Sequence, residues 1–421
     1  MVYIKPFKAL RPRKELVSRV SSLPYDVINK EEARKIIRSN SYSFLKVIKP
    51  EATLRREKYD SLQLAEIAAE NLQEFIRQKI LLKDEEDCFY LYRQSKNLHQ
   101  RTGLVACLSA KDYLRGIIKK HENINIETCE ARINHIKVTR AHTGCVLIIY
   151  KNNQHIEELL NRETSCKKAI YDFESDDGIK NSCWKIKEKE IIVSLIKSFQ
   201  NISSLYIADG HHRATAAAMV VQLLESRQKE DKEKEENEVK EYMYFPAVLI
   251  PDNQVRLLAY HREAKISPKF DKDVFLKDLE QMFQVEKVTP NDPFLPTRKH
   301  EFGMNLSGQW YRLLCRRDIL SKQDMNIINQ LDVSILQDLI LNPLLGIGNL
   351  PKSSRIKFIG GENSLLQIEE RVKQGSIIAF TLYPASVDEV IEISEMQQVL
   401  PPKSTWFEPK VRSGIFVHLF D

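Results

Sequence analysis

The sequence predicts a mixed α/β fold (α/β, or α+β in part) in two domains. Three observations carry this reading. A chain of 421 residues is longer than a single hydrophobic core usually serves. Strand signals and helix signals alternate along the chain, the pattern of layered α/β architectures. Hydrophobic residues at 43% and charged residues at 29% are the proportions of an ordinary globular protein.

The elements follow in order. "EEARKIIRSN" (31–40) and "LQLAEIAAENLQEFIRQKIL" (62–81) have apolar residues at helical spacing. "CFYLYRQS" (88–95) and "TGLVACLSA" (102–110) predict two strands with a hairpin-like connection, and "CVLIIY" (145–150) a buried strand. "EIIVSLIKSFQ" (190–200) predicts a helix that leads into the strand "SLYIA". "ESRQKEDKEKEENEVKEY" (225–242) is so charged that it predicts a solvated helix extension or a loop. "YFPAVLIP" and "VRLLAYHREAKI" then predict two strands joined by a short turn at "DNQ". Further helix and strand signals alternate to the end. A boundary near 263–270 gives domains of 1–265 and 266–421.

Several function classes lose ground at once. No apolar run approaches the length of a membrane span, and the N-terminus shows neither an h-region nor a cleavage site. The seven cysteines (88, 107, 129, 145, 166, 183 and 315) lack framework or zinc spacing, which predicts free thiols, no structural metal and a cytoplasmic setting. The net charge of +6 comes from Lys and Arg interleaved with Asp and Glu. That pattern favours a small anionic ligand over nucleic acid.

The richest chemistry sits in "SLYIADGHHRATAAAMVV" (204–221), where an apolar strand opens into an Ala-rich helix. The first N–H groups of a helix and its dipole attract anions. Gly210 would let a phosphate approach the backbone, Asp209 stands at an N-cap-like position, and Arg213 can fork onto phosphate oxygens. His211 and His212 can donate to phosphate or titrate near neutrality. Neither a Walker loop nor a G-x-G-x-x-G is present, so any nucleotide here uses a different cradle.

This turn resembles the signature of free-serine kinases built on the ParB/sulfiredoxin fold, related to G-E-R-R-x-R-A in ParB-type CTP-binding proteins and G-C-H-R in sulfiredoxins. The likeness extends to a widespread bacterial and protist family long described as a domain of unknown function. Its motifs stand here as "IKPFKALRP" (4–12), "LPYDVI" (23–28), "KDYLRGIIKKHENI" (111–124) and "PPKSTWFEPKVRSG" (401–414). The resemblance implies a ParB/sulfiredoxin-like nucleotide-binding core with an additional C-terminal α/β domain that lends a loop to the cleft.

It also implies an activity: transfer of a phosphoryl group from ATP or ADP, with Mg²⁺, to the hydroxyl of L-serine. Glu122, in the H-E context beside His121, matches the family's catalytic base. Asp209 would hold the substrate hydroxyl or the metal, while His121, Gly210, His211, His212 and Arg213 would hold the nucleotide phosphates. Arg132, in "CEARINHIKV", is a further candidate for Asp209 or for phosphate, and Asp26 either braces a turn or lines the site. Lys403, Ser404, Thr405 and Trp406 are candidates for substrate contact, in a loop stiffened by Pro401 and Pro402. "FIGGEN" (358–363) predicts a tight architectural turn. One departure is Ile124, where the family usually carries Thr.

Sulfiredoxin chemistry fails because the position of its cysteine is His211. A ParB-like nucleotide-binding regulator without kinase activity stays open, although neither a helix-turn-helix nor a segregated basic face is evident. No nucleic-acid or membrane partner is expected, and the chain is a monomer or a homodimer.

Overall fold

The computed structural model describes every residue except 56–58, 231–239, 322–325, 349–352, 373–376 and 421. The chain is mixed α/β and divides into two compact units. The first comprises 1–120, 124–255 and 409–421; the second comprises 121–123 and 256–408. The division therefore falls ten residues before the boundary expected from sequence, and the end of the chain returns to the first unit.

The first unit is built on a nine-stranded sheet. Across it run Ile118–Lys119, Leu205–Asp209, Val146–Tyr150, Tyr244–Pro251, His99–Ser109, Phe89–Lys96, Lys180–Ile186 and Tyr171–Glu174, with Ile4–Lys5 also paired to His99–Ser109. Two pairings are parallel, Leu205–Asp209 with Ile118–Lys119 and Tyr244–Pro251 with Val146–Tyr150; the others are antiparallel. The expected hairpin is present: Lys96 pairs with His99, and Asn97 makes the turn at φ 53°. Val146–Tyr150 is buried at every position, as its unbroken apolar run requires of a strand covered on both faces.

Local signals fix the helices. Asn29 and Glu32 form a capping box that starts Lys30–Ser39, and Asp60 with Gln63 does the same for Ser61–Arg77. These helices share a core with Phe44, Leu45, Leu72 and Phe75. The helix His211–Glu230 buries Ala214, Ala216, Ala217 and Ala218 in the main core, where small side chains allow close approach to the sheet. The charged stretch 225–242 begins in this helix; 231–239 lies outside the described residues.

Residues 409–421 form a strap on the first unit. Ser413 exchanges main-chain hydrogen bonds with Ser22, and Val417 with Leu10. His418–Leu419 pairs with Ala141–His142, and Phe420 N–H donates to the Arg140 carbonyl. The second unit contains a six-stranded antiparallel sheet, in the order Phe283–Lys287, Gln309–Cys315, Glu301–Leu306, Ile377–Leu382, His261–Lys265 and Ile356–Ile359. The segment "VRLLAYHREAKI" is thus split. Arg256–Leu258 pairs with Trp406–Glu408, while His261–Lys265 joins the large sheet. A hairpin with Tyr244–Pro251 is impossible because that strand already has a neighbour on each side.

All seven cysteines are free, with Cys166 exposed and the other six buried. Among the described residues, no helix is long and apolar enough to cross a membrane.

The strap's turn at Gly414 depends on glycine. Its φ is 84°, and a Cβ there would stand 2.7 Å from Cβ and Cγ of Phe44. Gly178 has a similar φ of 73° with nothing within 4 Å. Gly414→Ala is expected to lower unfolding stability by about 2–4 kcal/mol, from backbone strain plus overpacking. Gly178→Ala should cost only about 1 kcal/mol, the strain alone. Urea denaturation of the two variants checks this, and equal losses would remove Phe44 from the explanation.

Candidate functional site

The strand Leu205–Asp209 is buried from Leu205 to Ala208 and carries its single acid at the end. Its register with Val146–Tyr150 slips between Ile207 and Asp209, so one extra residue is inserted just before the carboxylate. Such a bulge re-aims the side chain that follows it. Gly210, at φ 96°, turns the chain, and its carbonyl accepts the first helical hydrogen bond from Ala214 N–H at 3.0 Å. Gly210 rather than Asp209 therefore stands immediately before the helix. The first amides, from His211 on, point out of the helix's N-terminal end.

Arg213 folds back over the turn. A Cβ on Gly210 would lie 2.9 Å from Arg213 Nε, so the guanidinium fills the place a side chain would take. Its Nη2 donates to Asp209 Oδ2 at 3.0 Å, and its Nη1 to the Cys145 carbonyl. The other carboxylate oxygen is met by Lys410, whose Nζ lies 3.3 Å from Asp209 Oδ1. The strap delivers Lys410: Gln94 donates to its carbonyl at 3.0 Å, and Arg101 donates to the carbonyl of Pro409. Burial pushes the Asp209 carboxyl up, but the Lys410 ammonium and the Arg213 guanidinium outweigh it and hold it far below the usual carboxylate range. The side chains are mostly shielded, with exposures of 19% for Asp209, 12% for Arg213 and 8% for Lys410.

The two histidines are used differently. His211 is buried and adds to the positive field at Asp209. His212 Nε2 accepts the N–H of Asn125 at 3.1 Å, which ties the helix start to the N-cap of Ile126–Thr139. Ile124, the departure from the family pattern, packs against the first unit's core.

Beside Arg213 a solvent-open cleft of about 450 Å³ is lined by Tyr25, Arg132, His135, Thr143 and Ser413, among others. Tyr25 stands in the turn closed by Val27 N–H on the Pro24 carbonyl, and Asp26 is exposed in that turn. Arg132 does not reach Asp209, whose oxygens are taken by Arg213 and Lys410. Its guanidinium lies over the Tyr25 ring, 4.2 Å from the centroid.

In the second unit, the His121 carbonyl accepts Leu400 N–H at 2.8 Å, and its ring lies 6.1 Å from that of Phe407. The half-buried Glu122 follows directly. Lys403 adopts φ 54°, with Nζ 5.6 Å from the Tyr260 ring centroid. Ser404 donates to the Pro401 carbonyl at 2.6 Å, which commits its hydroxyl to the loop itself. Thr405 leads into Trp406, whose ring stands edge-on to Tyr260 at 5.2 Å and donates from Nε1 to Glu408 at 2.5 Å. "FIGGEN" serves this ring: a Cβ on Gly360 would lie 2.3 Å from Trp406 Cε3. Arg262, buried beneath, donates to the carbonyls of Tyr260 and Pro402 and braces the loop.

The first unit thus brings Asp209, Gly210, His211, His212 and Arg213 together, and in the second His121 meets Leu400 and Phe407, on either side of 403–406. Lys410, Tyr25 and Arg262 were not among the residues expected from sequence. Lys410 closes the "WFEPK" stretch, whose lone basic residue beside one proline and an acid was the available signal.

Lys410→Met should destabilise the first unit by about 2 kcal/mol at pH 7, below the cost of breaking a fully buried pair because Asp209 keeps contact with water. Asp209 is held below its unfolded value, so its contribution is present above about pH 5 and is lost as pH falls toward the low folded value. The variant, whose folded Asp209 titrates closer to the unfolded value, should therefore lose less stability than the wild type as pH falls below about 5, as read from melting temperature against pH.

A second pH dependence comes from His142. Its ring stacks on that of His418 at 5.9 Å, and burial, with His418, lowers its pKa from the ordinary histidine range to about 3. The unfolded chain takes up this proton first, so stability is lost as pH falls from about 6.5 toward 3. His142→Phe should flatten that part of the melting profile, whereas an unchanged profile would remove His142 as its source.

Comparison with known proteins places the chain. No curated protein matches it. Among solved structures, a free serine kinase in complex with AMP is 12% identical, covering 74% of this chain and 91% of its own, with a TM-score of 0.35. SbnI with a C-terminal truncation, from Staphylococcus aureus, is 11% identical, covering 75% of this chain and 87% of its own, at 0.37. A conserved hypothetical protein from Pyrococcus furiosus is 12% identical, covering 76% of this chain and 96% of its own, at 0.34. The family described as "Protein of unknown function (DUF1015)" matches residues 4–334, so the chain belongs to that family.

Proposed function

We propose that this protein is a nucleotide-dependent phosphotransferase that phosphorylates the hydroxyl of free L-serine, with ATP or ADP as donor, on a ParB/sulfiredoxin-like core. One observation carries the reading. The strand–glycine–helix joint at 209–213 presents helix amides beside Arg213 and Lys410, two cations at an anion-attracting helix end. The motif resemblances supply the reaction class and the serine.

In this reading the main chain of 210–213 and the Arg213 guanidinium bind the donor phosphates. Lys410 and Asp209 set the charge around them: Asp209 fixes Arg213 through Nη2, and Lys410 offsets the carboxylate so that the site stays positive. Glu122 takes the proton of the serine hydroxyl as its oxygen attacks the terminal phosphorus. The bond from that phosphorus to the bridging oxygen breaks, and the shortened nucleotide leaves with the electron pair. Lys403, Thr405 and Trp406 are the proposed substrate contacts.

Asp209 is a poor fit for a metal ligand in this arrangement, since each of its oxygens already faces a cation. Mg²⁺, which is commonly held through substrate phosphates and water, would enter with the nucleotide.

The test is O-phosphoserine formation from L-serine and Mg²⁺ with ATP or ADP. Glu122→Gln should lower kcat by roughly 10²-fold or more while nucleotide binding persists. Nucleotide binding without product for either donor would favour a regulator instead. Full activity in the variant would remove Glu122 as the base.

A further inference from the structure

We infer that the cleft beside Arg213 is a second binding site, for a small organic oxyanion whose carboxylate or phosphate head is held by Arg132. The inference rests on the first unit's own geometry and stands apart from the phosphotransfer reading.

Arg132 is a cation without a counter-charge. Among the described residues it makes no ion pair and no hydrogen bond, and its Nε is buried without an acceptor. A buried donor left unsatisfied is costly, and native structures rarely retain one without a purpose. The guanidinium is nonetheless held in place, stacked on Tyr25 at 4.2 Å, and Tyr25 is itself fixed by Lys49 donating to its carbonyl at 2.8 Å. Asp26, the acid next to Tyr25, is exposed and forms no ion pair with Arg132. Arg213, the other cation of the cleft, is already paired with Asp209.

The remaining polar walls bring no negative charge. His135 and Thr143 satisfy each other, Nε2 to Oγ1 at 3.0 Å, and His142 is buried. An arginine without an ion pair therefore faces a solvent-open cleft whose lining carries no acid. A planar guanidinium matches a carboxylate or a phosphate in two parallel hydrogen bonds. Pro24, Ile48 and Ile136 complete the lining, so the ligand carries a short apolar body behind its charged head.

The test is calorimetric titration of the full chain, without nucleotide, using inorganic phosphate, O-phosphoserine, acetate and butyrate as probes. The inference expects at least one probe to bind, and to bind about tenfold more weakly or worse in Arg132→Met. Arg132→Lys, which keeps the charge but loses the fork, should fall between them and decides the matter if the Met variant does not fold. Tighter binding of butyrate than acetate would assign the head as a carboxylate, whereas binding confined to inorganic phosphate and O-phosphoserine would assign it as a phosphate. Failure of all four probes at millimolar concentration, or equal affinity in wild type and Arg132→Lys, would overturn the inference. Arg132-dependent binding in a chain that makes no phosphoserine would leave it standing while the kinase reading failed.

Discussion

The carboxylate of Asp209 is held between Arg213, four residues on, and Lys410, 201 residues on. The first contact is local and shapes the turn. The second requires that the end of the chain has already found its place. Removing charges from water costs about as much as their attraction returns, so such a cluster is weak as a source of stability. Its effect is to place charge: a carboxylate held ionised fixes the guanidinium over Gly210, and a lysine is brought to the opening of a helix.

The strap from Pro409 links this cluster to the rest of the first unit. It passes Gln94 and Arg101 on the long hairpin, then Ser22 and Leu10 near the N-terminus, and ends on the strand of His142. Each of these contacts joins segments far apart in sequence. The polar environment at 209–213 therefore depends on long-range contacts that also hold the first unit together.

Much of this was legible in the sequence where the signal is local. The hairpin around Asn97, the helices begun by Asn29 and Asp60, and the strand–Asp-Gly–helix joint all follow from turn chemistry, caps and apolar spacing over a few residues. Long-range pairing hid the rest. Nothing within "VRLLAYHREAKI" reveals that Tyr244–Pro251 is already paired on both sides, so the split at Ala259–Tyr260 could not be read locally. Lys410 looked like one more residue of a proline-rich loop, because its partner is in another part of the chain. Trp406 and the Gly360–Gly361 turn explain each other only once Arg256–Leu258 and Trp406–Glu408 are seen to pair.

The decisive measurement is a crystal structure of the full chain grown with Mg²⁺ and ADP or ATP. Phosphate oxygens are expected within hydrogen-bonding distance of the main-chain N–H groups of 211–213 and beside the Arg213 guanidinium. Nucleotide bound elsewhere, with the 210–213 turn uncontacted and the Asp209–Lys410 pair undisturbed, would contradict that placement.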